Sequence, residues 1–165
     1  MKLINLENAS DKEASSFSIR EASRAVVFDS KKLVALLYST RYDYYKLPGG
    51  GIEEGNSLEV ALVRECKEEI GCDVDIICEL GTIIEYRKKA NTKQISYCYL
   101  AKVKGEKGLP HLEPDEVEEG FETVWLPLVK AVKVASIVGD PTVYEAPYMV
   151  ARDSAFLEEA LKFTK

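Results

Sequence analysis

The sequence has no long apolar run and no cysteine pair of the kind that binds zinc. No stretch approaches the roughly 20 apolar residues that span a bilayer, and the first residues lack the apolar core of a signal peptide. Its four cysteines lie in apolar segments without C-x-x-C spacing, which favours reduced core thiols over a zinc site: Cys66, Cys72, Cys78 and Cys98. We therefore expect a cytoplasmic protein without a membrane partner.

An excess of positive charge is also missing. The chain has 22 Lys and Arg against 28 Asp and Glu, a formal net charge of −6. Binding to a nucleic-acid backbone needs clustered basic side chains, so we expect no nucleic-acid polymer as a partner. A small phosphorylated ligand is compatible with this charge if divalent cations neutralise the repulsion between acidic protein and acidic ligand. The acidity is therefore a first indication of a metal.

The chain is too short for two ordinary domains, so we expect a single domain over residues 1–165. Its composition, 46% hydrophobic and 30% charged, is typical of a folded globular protein. Alternating and β-rich runs predict strands at 22–29, 33–39, 44–47, 73–80, 82–88, 94–104 and 121–126. Helices are predicted at 57–70, 127–137 and 148–162. Strands on both sides of the first helix predict an α/β fold in which helices cover a mixed sheet.

A glycine-rich loop precedes the first predicted helix. Pro48 and the three glycines after it interrupt regular structure and allow the backbone to approach another group closely. Within the helix, apolar residues recur every four positions, and Gly71 stands where a C-terminal cap belongs. Asn56 and Glu59 have the spacing of a capping box, so Asn56 is the predicted N-cap.

Three carboxylates converge on one side of this helix. At about 100° per residue, Glu65 and Glu69 lie one turn apart, with Glu68 beside them. They flank the apolar stripe and should lie near the core, where clustered carboxylates repel one another unless a cation satisfies them. Such oxygen ligands suit Mg²⁺ or Mn²⁺. The alternative is a solvated acidic stripe with an ordinary ion pair between Arg64 and Glu68, which is common on surface helices.

Residues 50–72 read GGIEEGNSLEVALVRECKEEIGC, which resembles the Nudix box, G-x5-E-x7-R-E-U-x-E-E-x-G-U with U an apolar residue. The residues in register are Gly50, Arg64, Glu65, Glu68, Glu69 and Gly71. The resemblance implies a Nudix α/β/α sandwich with a C-terminal helix. It also implies an Mg²⁺- or Mn²⁺-dependent hydrolase that cleaves a phosphoanhydride bond in a nucleoside diphosphate linked to another group. Candidate substrates are a nucleoside triphosphate, an oxidised dNTP or a nucleotide sugar such as ADP-ribose, each releasing a nucleoside monophosphate.

The resemblance also implies roles for individual residues. Glu65 and Glu69 match the principal metal ligands of the family, and Glu68 matches either a ligand or the base that activates water. The Gly49 carbonyl precedes the box glycine and matches a backbone ligand. Arg64 matches the arginine that orients a neighbouring glutamate through charge-assisted hydrogen bonds.

Residues outside the box complete the expected site. Family members often carry another acidic residue before a late strand, as metal ligand or base, and Glu119 is our candidate, with Glu116 and Glu118 as rivals. The alternative is that residues 115–119 form a solvated acidic loop.

Three further residues are candidates for binding substrate. Arg24 and Arg87 are candidates for a distal phosphate. Tyr45 is a candidate for stacking on the base, although tyrosines in strands usually serve packing.

One departure from the box motivates a second function. Asn56 occupies the place of the early glutamate. The alternative function that this change suggests is a weakly active or inactive Nudix domain that serves as a nucleotide-binding sensor or regulatory module. The intact Arg64, Glu65, Glu68 and Glu69 favour the enzyme. The sequence leaves the oligomeric state open, with a homodimer as one candidate assembly.

Overall fold

The strands of this chain form one mixed sheet with helices on both faces. The computed structural model describes residues 1–163. In chain order the elements are β1 (Lys2–Ile4), α1 (Asp11–Ala14), β2 (Ser18–Phe28), β3 (Leu33–Ser39), β4 (Tyr44–Lys46), α2 (Leu58–Ile70), β5 (Asp73–Arg87), β6 (Thr92–Lys104), α3 (Pro114–Glu118), β7 (Phe121–Pro127), α4 (Leu128–Ala135), α5 (Ala146–Ala160) and a 3-10 turn (Leu161–Phe163). No helix within residues 1–163 is long and apolar enough to cross a bilayer.

The sheet has seven strands in the order β1, β5, β6, β2, β3, β4, and β7 also pairs with β3. The β1–β5 and β2–β6 pairs are parallel, and the remaining pairs are antiparallel. Helix α2 packs on one face of the sheet, and α4 and α5 pack on the other. The predicted α/β/α sandwich is therefore confirmed.

Strand β2 shows how the sequence places side chains on the two faces. Because successive side chains of a strand point to opposite faces, Ala25 and Val27 pack with Leu62 of α2. Val26 packs with Leu157 of α5 on the other face. Both faces are covered here, which explains why the final part of the strand, residues 25–28, is apolar without interruption.

Two local predictions need correction. The predicted break between two strands near Gly81 is wrong, because β5 runs through it and absorbs the irregularity in two register shifts against β6. The predicted N-cap is also wrong by one residue: the Ser57 hydroxyl accepts the Val60 N–H at 3.2 Å, whereas the Asn56 amide donates to the Glu53 carboxylate at 3.3 Å. The C-cap prediction is confirmed by Gly71 in the left-handed conformation, with φ of 66°.

The glycine loop is bound to strand β2 along its length. The N–H groups of Ala25 and Ser23 donate to the carbonyls of Pro48 and Gly50, each at 3.0 Å. Gly49 has φ of +129°, and a β-carbon there would overlap the Ser23 carbonyl and lie 2.9 Å from the Arg24 Cα. This position therefore requires glycine both for its backbone conformation and for its contact with β2.

We expect Gly49→Ala to destabilise the protein by about 1–3 kcal/mol more than Gly81→Ala, the typical cost of an added methyl group without space for it. Gly81 is the matched control, because its φ is also positive, at +147°, and nothing lies within 4 Å of an added β-carbon. Urea unfolding of both variants measures the difference. Equal losses would show that the contact with β2 adds nothing to the conformational requirement.

Candidate active site

A cavity of about 660 Å³ opens beside the glycine loop. The glycine loop, the segment that contains α3 and the segment that leads into α5 all contribute to its wall. Seven carboxylate side chains line it: Glu65, Glu69, Glu113, Asp115, Glu116, Glu119 and Glu145. Three basic side chains line it as well: Arg20, Arg24 and Lys46. The described wall therefore carries excess negative charge together with separate cationic groups.

Glu69 joins α2 to the glycine loop. Its residue is only 2% exposed, and its carboxylate accepts the Gly49 N–H at 2.6 Å and the Lys46 ammonium at 3.0 Å. Burial raises the pKa of Glu69 to about 7, although Lys46 and the Gly49 N–H act in the opposite direction. Without a further cation, this carboxylate is thus held in a place that disfavours its charge.

Glu65 lies one turn earlier on α2 and faces the same loop. A β-carbon on Gly50 would overlap the Glu65 carboxylate, so the box glycine makes room for this side chain. Burial raises the pKa of Glu65, against the opposing effect of the neighbouring Arg64. The spacing of four residues places Glu65 and Glu69 on the shared face of α2 that the sequence predicted, and the structure places this face at the cavity wall.

Arg64 holds two box glutamates at once. Its guanidinium lies 2.9 Å from the Glu65 carboxylate and 2.8 Å from that of Glu68, with Glu53 further away at 3.6 Å. Glu68 is partly exposed and lines a smaller hollow of about 270 Å³ together with Glu65 and Glu116, outside the main cavity. The orienting contact expected of Arg64 is present, and so is the surface-type pair with Glu68.

The segment that contains α3 brings Glu116 towards the glutamates of the box. Its side chain is 15% exposed and lies 3.7 Å from the Lys46 ammonium, which also contacts Glu69. Glu119 lines the main cavity too, but its carboxylate accepts the Tyr44 hydroxyl at 2.8 Å. Glu118 lies outside the cavity wall, 73% exposed, and pairs with Arg41.

Of the three residues predicted to bind substrate, one lines the main cavity and two lie outside it. Arg24 lines the main cavity and is buried. Tyr45 lies outside the wall and stacks on Tyr38 with ring centroids 4.6 Å apart. Arg87 also lies outside it and pairs with Glu85 at 2.8 Å.

Sequence analysis missed Lys46 and Arg20. Arg20 lies four residues before Arg24 on β2, so strand alternation places both side chains on one face. This alternation could have identified Arg20 as a companion of Arg24.

The donor groups at this wall suit a hard cation. Glu65, Glu69 and Glu116 offer carboxylate oxygens, and the Gly49 carbonyl accepts no hydrogen bond from any residue in 1–163. Such oxygen donors are the ligands that Mg²⁺ and Mn²⁺ prefer. Within the described residues, no three acidic, histidine or cysteine side chains already form a cluster close enough to hold an ion. Lys46 lies between Glu69 and Glu116, so an ion that bridged these carboxylates would have to displace its ammonium group.

This chain resembles a solved structure in its fold and two relatives in part of their sequence. A NUDIX hydrolase from Nitrosomonas europaea superposes with a TM-score of 0.67 over 90% of this chain and 92% of that chain, at 14% identity, which shows the fold alone. An 8-oxo-(d)GTP phosphatase of Mycolicibacterium smegmatis is 33% identical over 99 residues, 60% of this chain. An RNA pyrophosphohydrolase of a Nitratiruptor species is 43% identical over 58 residues, 33% of this chain.

The two matches span only 28% and 37% of these relatives' own lengths. The family assignment rests on a broader match, because the model of the NUDIX domain family covers residues 19–145, which include the glycine loop, α2 and the α3 segment. The sequence resemblance is confirmed, and the chain belongs to the NUDIX domain family.

Proposed function

We propose that this protein is a metal-dependent hydrolase that cleaves a phosphoanhydride bond in a nucleoside diphosphate linked to another group and releases a nucleoside monophosphate. One observation carries the proposal: the glycine loop and α2 hold one buried and one partly buried carboxylate, Glu69 and Glu65, at the wall of a large cavity that arginine also lines. Carboxylates with raised pKa values in a cavity are typical of functional sites.

The metal ligands in this proposal are Glu65, Glu69 and the Gly49 carbonyl, with Glu68 in addition. Bound there, Mg²⁺, or Mn²⁺ in its place, would neutralise phosphate charge and polarise the attacking water. Arg64 keeps Glu65 and Glu68 in place through its two short contacts. The protein thus contributes positioning and charge, and no covalent intermediate is needed.

The base in this proposal is a carboxylate from the α3 segment. Water attacks one phosphorus atom, its proton passes to the base, and the bond from that phosphorus to the bridging oxygen breaks. Glu116 fits this role better than Glu119, because Glu116 shares Lys46 with Glu69 whereas Glu119 is engaged by the Tyr44 hydroxyl.

The names of the two relatives support a substrate with a chain of phosphates on a nucleoside. One is a phosphatase of 8-oxo-(d)GTP and the other a pyrophosphohydrolase of RNA. We propose nucleoside triphosphates, ordinary or oxidised, as the first class to test, and ADP-ribose as the second. The net charge of −6 argues against long RNA, because the chain lacks excess basic charge for the backbone.

We expect metal-dependent release of a nucleoside monophosphate from at least one member of a panel. The panel contains nucleoside triphosphates, oxidised dGTP, ADP-ribose, other nucleotide sugars and dinucleoside polyphosphates, each with Mg²⁺ or Mn²⁺; triphosphorylated RNA is added, with 5′-monophosphorylated RNA as its product. Glu69→Gln should lower the rate by about 100-fold or more, because it removes charge from the proposed metal site. Glu118→Gln is the matched control, since Glu118 lies outside the cavity wall. No turnover of any member would contradict the hydrolase.

We expect Glu116→Gln to lower kcat by about 100-fold or more, as loss of a general base does, while Glu119→Gln lowers it less than about fivefold. Both substitutions keep the size of the side chain and remove its charge. Measuring kcat for the two variants on the best substrate of the panel decides between them. The reverse order would assign the base to Glu119, the residue that the sequence favoured.

The alternative of a nucleotide-binding sensor rests on Asn56. In the structure, however, Glu53 lies 3.6 Å from Arg64 and accepts a hydrogen bond from the Asn56 amide. A carboxylate therefore already reaches Arg64 from the loop in which the box glutamate is missing.

We expect Asn56→Glu to change kcat by less than about threefold, because Glu53 already supplies a carboxylate to Arg64, and exposed ion pairs contribute little. Asn56→Gln is the control for side-chain length. A gain above tenfold in the glutamate variant alone would support a weakened catalyst and favour the sensor, as would metal-dependent nucleotide binding without turnover.

A further inference from the structure

Leu47, which leads into the glycine loop, is bonded to a helix on the face of the sheet opposite to α2. Its N–H donates to the Asp153 carboxylate at 2.9 Å, and both residues are fully buried. Asp153 belongs to α5, which packs on that opposite face. On the α2 side, the Gly49 N–H donates to the Glu69 carboxylate at 2.6 Å. A buried carboxylate therefore holds the loop from each face of the sheet.

Pro48 limits the ways in which this loop can be held. Proline has no N–H, so Leu47 and Gly49 supply the backbone donors on either side of it. The carbonyls of Pro48 and Gly50 accept N–H groups of β2, each at 3.0 Å. Loss of the Asp153 carboxylate would leave the loop bonded to β2 and α2, but with a buried, unpaired N–H on the α5 side.

Asp153 is itself held by a buried ionic network. Its Oδ2 accepts the Leu47 N–H, and its Oδ1 accepts the Arg152 Nε at 2.6 Å. Arg152 also lies 3.7 Å from the Glu85 carboxylate, which pairs with Arg87 at 2.8 Å. Apolar residues of similar volume are often as stable as a buried ion pair. Stability alone therefore does not require a charged residue at position 153.

We propose that Asp153 is a positioning residue for the metal site: through Leu47 it fixes the glycine loop, and with it the Gly49 carbonyl and the N–H that binds Glu69. This inference rests on the proposed function and extends the site to α5. Asp153 does not line the cavity, so it acts through the loop. Groups that orient metal ligands typically contribute about 10- to 100-fold to metal affinity or activity.

The first test uses two double variants that differ in one acceptor oxygen. Arg152→Met with Asp153→Asn and Arg152→Met with Asp153→Leu both remove the ion pair, and asparagine and leucine have the same branched shape. Only asparagine offers an oxygen to the Leu47 N–H. Titration calorimetry measures Mn²⁺ binding to the full chain without substrate. We expect the asparagine variant to bind Mn²⁺ about tenfold more tightly than the leucine variant. Equal affinities would overturn the inference.

A second comparison keeps Arg152 and also decides the question if the double variants do not fold. In Asp153→Asn alone, the guanidinium attracts the amide oxygen, which turns the NH₂ group towards the Leu47 N–H and breaks that bond. Glu85→Gln is the matched control, because it neutralises another buried carboxylate beside Arg152 whose ion pairs within residues 1–163 lie outside the loop.

We expect Asp153→Asn to weaken Mn²⁺ binding about tenfold and Glu85→Gln to weaken it less than about threefold. Thermal unfolding should show a lower Tm for both, since each leaves Arg152 with one anionic partner fewer. Equal weakening by the two variants would assign Asp153 a purely structural role and overturn the inference. Failure of the wild type to bind Mn²⁺ would overturn it as well.

The substrate panel distinguishes this inference from the proposed function. Turnover by the wild type, combined with equal Mn²⁺ affinities in both comparisons, would leave the hydrolase standing without this positioning residue. Weaker Mn²⁺ binding on loss of the Leu47 bond, without turnover of any substrate, would support the positioning role and contradict the hydrolase.

Discussion

The structure of the site depends on the contact between the glycine loop and the buried end of α2, where the Gly49 N–H donates to the Glu69 carboxylate. The opposite side of the same loop is bonded to β2 through Ser23 and Ala25. A single short segment thus fixes the distance between helix and sheet. Because it contains no side chains at Gly49 and Gly50, carboxylates and an arginine can approach its backbone from both sides.

Three charged residues at the cavity wall, Glu65, Glu69 and Arg24, are held in place at an electrostatic cost. Burial raises the pKa values of Glu65 and Glu69, and it lowers that of Arg24 to about 10, so each charged form is disfavoured where it stands. The structure offers Glu69 one ammonium group, from Lys46, and offers Arg24 one backbone carbonyl. Such costs are typical of functional sites, which connects the stability of the fold to the proposed chemistry.

The errors in the predicted strand break, helix N-cap and short elements each have a physical cause. Gly81 marks a strand break in the sequence, but pairing with β6 along its whole length carries β5 through two irregularities. Asn56 and Ser57 are both good N-cap residues, and the structure uses Ser57, since Asn56 is bonded back to Glu53. The short elements β1, α1 and α3 escaped prediction because three to five residues carry too little periodicity.

The sequence by itself determined helix α2, the shared face of Glu65 and Glu69, and the need for glycine before them, because these follow from periodicities and caps within one segment. The apolar, β-rich run at 22–29 likewise determined the buried part of β2 as a strand. Only the tertiary structure decided that Glu116 approaches Lys46 and Glu69, that Arg24 lines the cavity, and that Tyr45 and Arg87 do not. These contacts join segments far apart in the chain, and their positions depend on strand pairing and helix packing that no local pattern of residues encodes.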